Sequence, residues 1–202
     1  MQIAEKIVFA TNNKHKVFEL HEWFARNFDE VPEIITLSQL GLADPDENGT
    51  TFAQNAFIKA DYAFEHTGLA SIADDSGLCV DALGGRPGVY SARYAGEGKS
   101  DGDRIAKLLD ELKDVPLYER TAHFACALCM LLPDGTRIDA YGVSEGYILE
   151  SPRGNDDFGY DPVFYCPVYG KTFAELDIES KTAVSHRGKA LAELKSKLRT
   201  LL

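Results

Sequence analysis

Asp74 and Asp75 stand side by side in Ile72-Ala73-Asp74-Asp75-Ser76-Gly77, and a glycine- and arginine-bearing stretch, 84–93, follows them. Adjacent carboxylates in a sharp loop at the end of a strand suit a hard cation such as magnesium, which takes oxygen ligands. A carboxylate there can also draw a proton from water as a general base. Asp, Ser and Gly are equally ordinary turn residues, so alone the pair reads either as a polar turn or as a metal-and-water centre. Three further polar clusters are placed, like this one, in loops or at helix starts, where sites tend to be. Thr11-Asn12-Asn13-Lys14-His15-Lys16 lies between a strand and a helix. Backbone amides at a helix N-terminus with a following lysine suit phosphate. The P-loop glycines are absent, and a capped turn explains the same residues.

Glu47 and Lys59 form the next cluster. Lys59 shares a helical stripe with Asn55 and Tyr62, and from composition it reads as a solvated lysine stretched past an apolar face. The last cluster combines Phe158-Gly159-Tyr160-Asp161 with Lys181 and Ser185-His186-Arg187-Gly188. A ring to stack, a carboxylate and planar donors are what a purine pocket needs. A core Phe and Tyr and an N-cap Ser fit the same residues. Ser185-His186 lacks the G-x-S-x-G elbow of a serine hydrolase.

The elements that must carry these residues begin as β-loop-α-β. A strand covers 6–10, then comes a helix with Val17, Leu20, Phe24 and Phe28 on one face, and a strand covers 33–37. A loop over 41–49 leads to a helix capped by Thr50 or Thr51 that runs to about His66 and closes at Gly68. A strand over 70–73 ends at the acidic pair, with a continuation over 78–83 after the turn. An amphipathic helix spans 100–114. Strands over 121–132 and 136–149 form a hairpin around Pro133-Asp134-Gly135. A short strand covers 161–165, helical pattern returns near Thr172, and a basic helix ends the chain. Crossover units mixed with long hairpins predict an α/β chain with a mixed sheet and flanking helices, not a clean doubly wound sheet.

The 202 residues suffice for one domain, 1–202, or one domain with two lobes. A net charge of 21 − 32 = −11 argues against non-specific nucleic-acid binding, which needs a basic face. No apolar run is long enough for a bilayer, and the first residues lack a secretory signal pattern. Both point to a soluble, intracellular protein. Cys126 and Cys129 form C-x-x-C, but within a strand that spacing turns them to opposite faces. They read as buried free thiols rather than as metal ligands.

Taken in order, the clusters resemble the inosine triphosphate pyrophosphatase family. The matching pieces are Ala10-Thr11-Asn12-Asn13-Lys14-His15-Lys16, then Glu47-x-Gly49-x-Thr51-Phe52-x-x-Asn55-Ala56-x-x-Lys59-Ala60. Ala73-Asp74-Asp75-Ser76-Gly77-Leu78 and Leu83-Gly84-Gly85-x-Pro87-Gly88-x-Tyr90-Ser91-Ala92-Arg93-Tyr94 follow. Phe158-Gly159-Tyr160-Asp161-Pro162 and Lys181-x-Ala183-x-Ser185-His186-Arg187-Gly188 complete the set. The resemblance implies an elongated α/β fold with two lobes around a central cleft, and a cytoplasmic homodimer. It implies hydrolysis of ITP, dITP and XTP between the α- and β-phosphates, with Mg2+. By the same resemblance, 11–16 hold the triphosphate, with Asn13 and Lys16 as the main side chains. Lys59 becomes a second phosphate cation, against the solvated reading. Glu47 helps to bind magnesium. Asp75 is catalytic base or metal ligand, with Asp74 beside it and Ser76 near the substrate. Phe158, within Phe158-Gly159-Tyr160-Asp161, stacks on the purine, while Asp161, Lys181, His186 and Arg187 frame the base.

Two departures stand out. Asn12 replaces a glycine common among bacterial relatives; asparagine tolerates the left-handed region, so the loop can keep its shape. Asn155-Asp156-Asp157 replace the glycines usual before Phe158. In the expected mechanism, like-charge crowding within the Asp74–Asp75 pair raises one carboxyl pKa and improves the base. A non-catalytic nucleotide-binding module would need no acidic pair, and a Maf-like pyrophosphatase would act on other nucleotides; the motifs of that group are not found here.

Overall fold

The computed structural model describes residues 4–154 and 158–201. Asn155-Asp156-Asp157 lie outside the described residues. The strands are β1 (Lys6–Phe9), β2 (Glu33–Thr36), β3 (Ala70–Val80), β4 (Thr121–Leu131), β5 (Arg137–Ile148), β6 (Phe164–Cys166) and β7 (Lys171–Thr172). The helices are α1 (Lys14–Asn27), α2 (Phe52–Thr67), α3 (Asp101–Glu111), α4 (Ile178–Val184) and α5 (His186–Leu201). The strands form one seven-stranded sheet in the order β2-β1-β3-β4-β5-β6-β7. β1 pairs parallel with β2 and β3, whereas β5–β6 and β6–β7 are antiparallel, so the sheet is mixed as expected.

The chain divides into two compact units. The first comprises Met1–Asp75, Ala127–Tyr141 and Ala190–Leu202; the second comprises Ser76–Cys126 and Gly142–Lys189. In the first, β1 leads through α1 to β2, and β2 leads through α2 to β3. Because β2 and β3 flank β1, these crossovers run in opposite directions, and right-handed crossovers then set α1 and α2 on opposite faces. The helix ends follow the sequence. Thr51 caps α2 by accepting from the Gln54 amide, and Gly68 closes it in the left-handed conformation at φ 64°. Ser100 and Asp103 form a capping box at the start of α3. In the second unit, Leu78, Ile105, Leu108, Phe124, Phe164 and Phe173 belong to one buried apolar cluster.

Two expectations fail locally, and the left-handed tolerance invoked for Asn12 is not used. The acidic pair does not end a strand or sit in a loop: β3 runs unbroken through Asp74, Asp75, Ser76 and Gly77. The short strand expected at 161–165 is displaced to Phe164–Cys166, because Asp161 to Val163 form a turn in which the Val163 amide donates to the Tyr160 carbonyl at 3.1 Å. No described non-glycine residue has a positive φ, so the loop at Asn12 does not use the left-handed region. Cys126 and Cys129 are both fully buried free thiols in β4. Among the described residues no helix is long and apolar enough to cross a membrane.

Candidate functional site

β3 extends beyond its pairing with β1. The last register pair is Phe9 with Ile72, and the Ala10 amide still donates to the Ile72 carbonyl at 2.9 Å. There β1 gives way to the loop at 11–13, while β3 continues to Asp74 and Asp75. Since the chain leaves β1 toward β2 on one side and leaves β3 toward β4 on the other, this is a topological switch point, where open α/β sheets bind ligands.

Successive strand residues point to opposite faces, and the two carboxylates meet different helices. Asp74 is 1% exposed, and its two oxygens lie 2.9 and 3.1 Å from Nζ of Lys16 in the first turn of α1. Asp75 is 8% exposed and faces α2. Asn55 Nδ2 donates to its Oδ2 at 2.9 Å, and Lys59 Nζ stands 3.8 Å from its Oδ1. Lys59 Nζ also donates to Glu47 Oε1 at 2.6 Å. Lys59 is itself only 8% exposed, so it is not a solvated lysine.

These pairings, with burial, shift the pKa values of Asp75 and Lys59. Burial raises the pKa of Asp75 and nearby Glu47 adds to the rise; Lys59 and the Asn55 hydrogen bond oppose it without cancelling it. Burial is the largest cause of the rise and Glu47 adds to it, while Asp74 is paired with Lys16. For Lys59, burial favours the neutral amine, but Asp74, Asp75 and Glu47 together outweigh burial and raise its pKa.

The loop is tied down by its own side chains. Asn13 caps α1, its Oδ1 accepting from the His15 amide at 2.9 Å and the Lys16 amide at 3.3 Å. Thr11 Oγ1 accepts from the Asn13 amide at 3.2 Å. Asn12 donates to Asp44 at 2.8 Å and accepts from the Ser38 amide at 3.3 Å, work that a glycine could not do. Lys14 is exposed, and His15 lies on an exposed part of α1 with its ring nitrogen 3.9 Å from Glu19.

Asn55 stands in the sequence in a helical stripe with Lys59 and in the matched motif, without a role, yet it is fully buried and holds Asp75. Its Oδ1 accepts from the Gly49 amide at 2.8 Å. The signal was an asparagine one helical turn before a lysine on an otherwise Ala- and Phe-rich helix.

The second unit gathers the other residues. Lys181 of α4 stands 2.5 Å from Asp161 Oδ2, with Nζ 5.9 Å from the Phe158 ring centroid. His186 and Arg187 open α5, and the His186 ring stacks on Phe124 at 4.7 Å and 13°. A Cβ on Gly188 would run into the Thr182 carbonyl, so glycine lets α5 start this close behind α4. Phe158 is 38% exposed, as a stacking ring needs, whereas Tyr160 is 4% exposed and donates its hydroxyl to the Ser91 carbonyl at 2.9 Å. The Tyr160 side chain therefore belongs to the core. Ser76 is half-buried in β3.

Buried carboxylates interlocked with two lysines at a switch point mark a protein that handles a highly charged ligand on an α/β frame. The chain belongs to the Ham1 family, whose model matches residues 7–197. It is 51% identical over 190 residues to a dITP/XTP pyrophosphatase of Geobacillus kaustophilus, covering 94% of this chain and 92% of that one. It is 49% identical to a dITP/XTP pyrophosphatase of Geobacter sulfurreducens, covering 96% of each. Among solved structures, a HAM1 protein from Coxiella burnetii superposes with a TM-score of 0.88 at 41% identity, covering 96% of this chain and 98% of that one. The Staphylococcus aureus Ham1 protein gives 0.88 at 39%, covering 98% and 100%.

Proposed function

We propose that this chain hydrolyses the purine nucleoside triphosphates ITP, dITP and XTP to the monophosphate and pyrophosphate, with Mg2+ as cofactor. The observation that carries the reading is Asp75: a buried carboxylate with a raised pKa, oriented by Asn55 and faced by Lys59. The relatives' names supply the substrate class. The chain acts as a single catalytic domain, in the cytoplasm where nucleotides are pooled, and as a homodimer on the strength of the family resemblance. Light scattering should give twice the 22.2 kDa chain mass.

The donor set fits magnesium. Lys59 Nζ lies 2.6 Å from Glu47 and 3.8 Å from Asp75, so one cation can meet both carboxylates. Among the described residues no group of three or more His, Cys, Asp or Glu is placed to hold a metal. Magnesium needs no such group, since it is bound through one or two carboxylates together with water and substrate phosphates. Glu47 and Asp75, with Asp74 beside them, would hold it, and it would supply charge neutralisation as pyrophosphate departs.

The remaining steps belong to the chain's own residues. Lys16 and Lys59 exchange their carboxylate partners for triphosphate oxygens, and the amides of the loop at 11–16 add donors. Asp75 accepts a proton from water, whose oxygen attacks the α-phosphorus. The bond from that phosphorus to the α–β bridging oxygen breaks, and pyrophosphate leaves. Oriented by the Asn55 hydrogen bond, Asp75 is placed to accept that proton. Ser76 lies next along the strand. Phe158 stacks on the base, with Gly159 and Asp161 shaping its loop. Lys181, His186 and Arg187 offer donors to the 6-oxo group of hypoxanthine or xanthine. Adenine carries an amino donor there, and an unmade buried hydrogen bond costs about 1–3 kcal/mol.

Pyrophosphate release from dITP with and without magnesium tests the reaction. A panel of ITP, XTP, GTP and ATP tests selectivity, and equal rates on all four would sink it. Gly49 offers a second test. A Cβ there would come within 2.6 Å of Asn55 Oδ1 and 2.8 Å of Gln54 Cβ. Gly49→Ala is therefore expected to lower kcat about tenfold by shifting Asn55 from Asp75. Wild-type kcat in that variant would show that the Asn55 contact is dispensable.

A further inference from the structure

Asp101 takes no part in the phosphate chemistry, yet it holds the residue next to Phe158. It is the first residue of α3, where the Ser100–Asp103 capping box fixes its backbone. Its Oδ2 accepts from the Gly159 amide at 2.9 Å, across 58 residues of chain. Its Oδ1 accepts from Arg104 Nη1, and Arg104 Nη2 donates to the Lys99 carbonyl at 2.8 Å. The Asp101 side chain is thus braced from its own helix while reaching a distant loop.

The loop it reaches has a particular shape. Gly159 is in the left-handed conformation, φ 60°, with open space where a Cβ would stand. The chain reverses there, between an accessible Phe158 ring and a buried Tyr160. Tyr160 is anchored to the Ser91 carbonyl at 2.9 Å, and Ser91 Oγ in turn accepts from the Leu78 amide at 2.9 Å. One side of the reversal is therefore fixed by the core, and the amide at its centre is fixed by Asp101. A carboxylate–amide hydrogen bond is shorter and stronger than a neutral one. Stacking, in turn, depends on where the ring stands relative to the base.

We propose that Asp101, braced by Arg104, is a positioning residue for purine recognition, setting the Phe158 ring through the Gly159 amide. This rests on the reading of Phe158 as the stacking ring. Asp101 touches neither the base nor the phosphates, so its loss should weaken binding far more than it slows the chemical step.

The test measures kcat and KM for dITP, with magnesium, in Asp101→Ala, Asp101→Asn, Phe158→Ala and the Asp101→Ala/Phe158→Ala double variant. Phe158→Ala is expected to raise KM at least about tenfold. Asp101→Ala is expected to raise KM about 5- to 10-fold, with kcat changed far less. Asp101→Asn retains an acceptor oxygen and should recover most of that loss. In the double variant KM should match Phe158→Ala alone, because positioning an absent ring has no effect. If Phe158→Ala leaves KM unchanged, the stacking reading falls, and this inference with it. If Phe158→Ala raises KM but Asp101→Ala does not, or if the two effects multiply, the stacking reading stands and the role of Asp101 is overturned. Should Asp101→Ala fail to fold, Arg104→Gln takes its place in the cycle: non-additivity with Phe158→Ala is expected, and additivity overturns the proposal.

Discussion

Asp75→Asn is expected to lower kcat for dITP by about 10²- to 10⁴-fold, the contribution of a well-placed general base, while raising the thermal stability of the metal-free protein. The first effect follows from removing the proton acceptor while leaving the lysines and the base-recognition residues intact, so dITP should still bind. A variant that turns over near the wild-type rate would remove Asp75 from the mechanism. The second effect follows from linkage. The folded-state pKa of Asp75 is raised, chiefly by burial and further by Glu47, even after the attraction of Lys59 is counted. A group raised in this way contributes stability below its unfolded value, and that contribution is lost as pH rises through the folded value. Above the folded value the protein therefore carries an unfavourable ionised carboxylate, and asparagine removes it. Asn55 can still donate to the new amide oxygen. In the presence of a chelator, the unfolding midpoints of variant and wild type should nearly coincide in acid. They should separate in the variant's favour as pH rises through the raised pKa, then run parallel. About 2–4 °C corresponds to ~1 kcal/mol in a chain of this length. A variant less stable than wild type at pH 8 would contradict the assigned direction.

The sequence was most readable where local chemistry decides structure. Thr51 and Gly68 bracket α2, and Ser100 with Asp103 opens α3, because capping needs only residues a few positions apart. The opening β-loop-α-β and the hairpin of β4 and β5 were likewise visible in periodicity and turn residues. The acidic pair misled for the opposite reason. Asp, Ser and Gly are poor strand formers and good turn formers, yet β3 passes straight through them. They are held extended by partners far away in sequence: Lys16 is 58 positions from Asp74, and Asn55 is 20 from Asp75. No local window contains that information. The placement changes the chemistry, since a strand sends the two carboxylates to opposite faces and to different lysines, where a loop would have left them competing for one cation. The same non-locality hid the leading causes of Asp75's raised pKa, burial and then Glu47, neither of which a local window shows. Asn55 went unassigned because its role appears only once α2 lies against β3 and its other side accepts from Gly49.

Lys59→Met is expected to be the most destabilising single change at this cluster. The ammonium lies 2.6 Å from Glu47 and 3.8 Å from Asp75, and is only 8% exposed. Removing one partner from a buried ionic cluster leaves charges uncompensated and costs about 3–5 kcal/mol, a fall in midpoint on the order of 10 °C. The pH dependence identifies the source. The pKa of Lys59 is raised from 10.5 because three carboxylates outweigh its burial. Its stabilisation is therefore fully present below the unfolded value and is lost only as pH rises through the higher folded one. Between pH 5 and 9 the lysine itself stays charged. Narrowing of the gap between wild type and variant toward acid then reports protonation of Asp75, whose pKa is raised, and not loss of the lysine's charge. The double variant Lys59→Met/Asp75→Asn should regain part of the lost stability, since it removes opposite charges together. Magnesium supplies the decisive comparison. On the metal site proposed above, a cation held by Glu47 and Asp75 would compete with the ammonium, which lies 2.6 and 3.8 Å from them. With methionine in its place, magnesium alone should raise the midpoint more than it does in wild type, by the linkage between ligand binding and folding. Turnover should still fall, because the triphosphate has lost one of its cations. Equal stabilisation of the two proteins by magnesium would show that the ammonium and the metal do not share a place, and that Glu47 and Asp75 are not the pair that holds it.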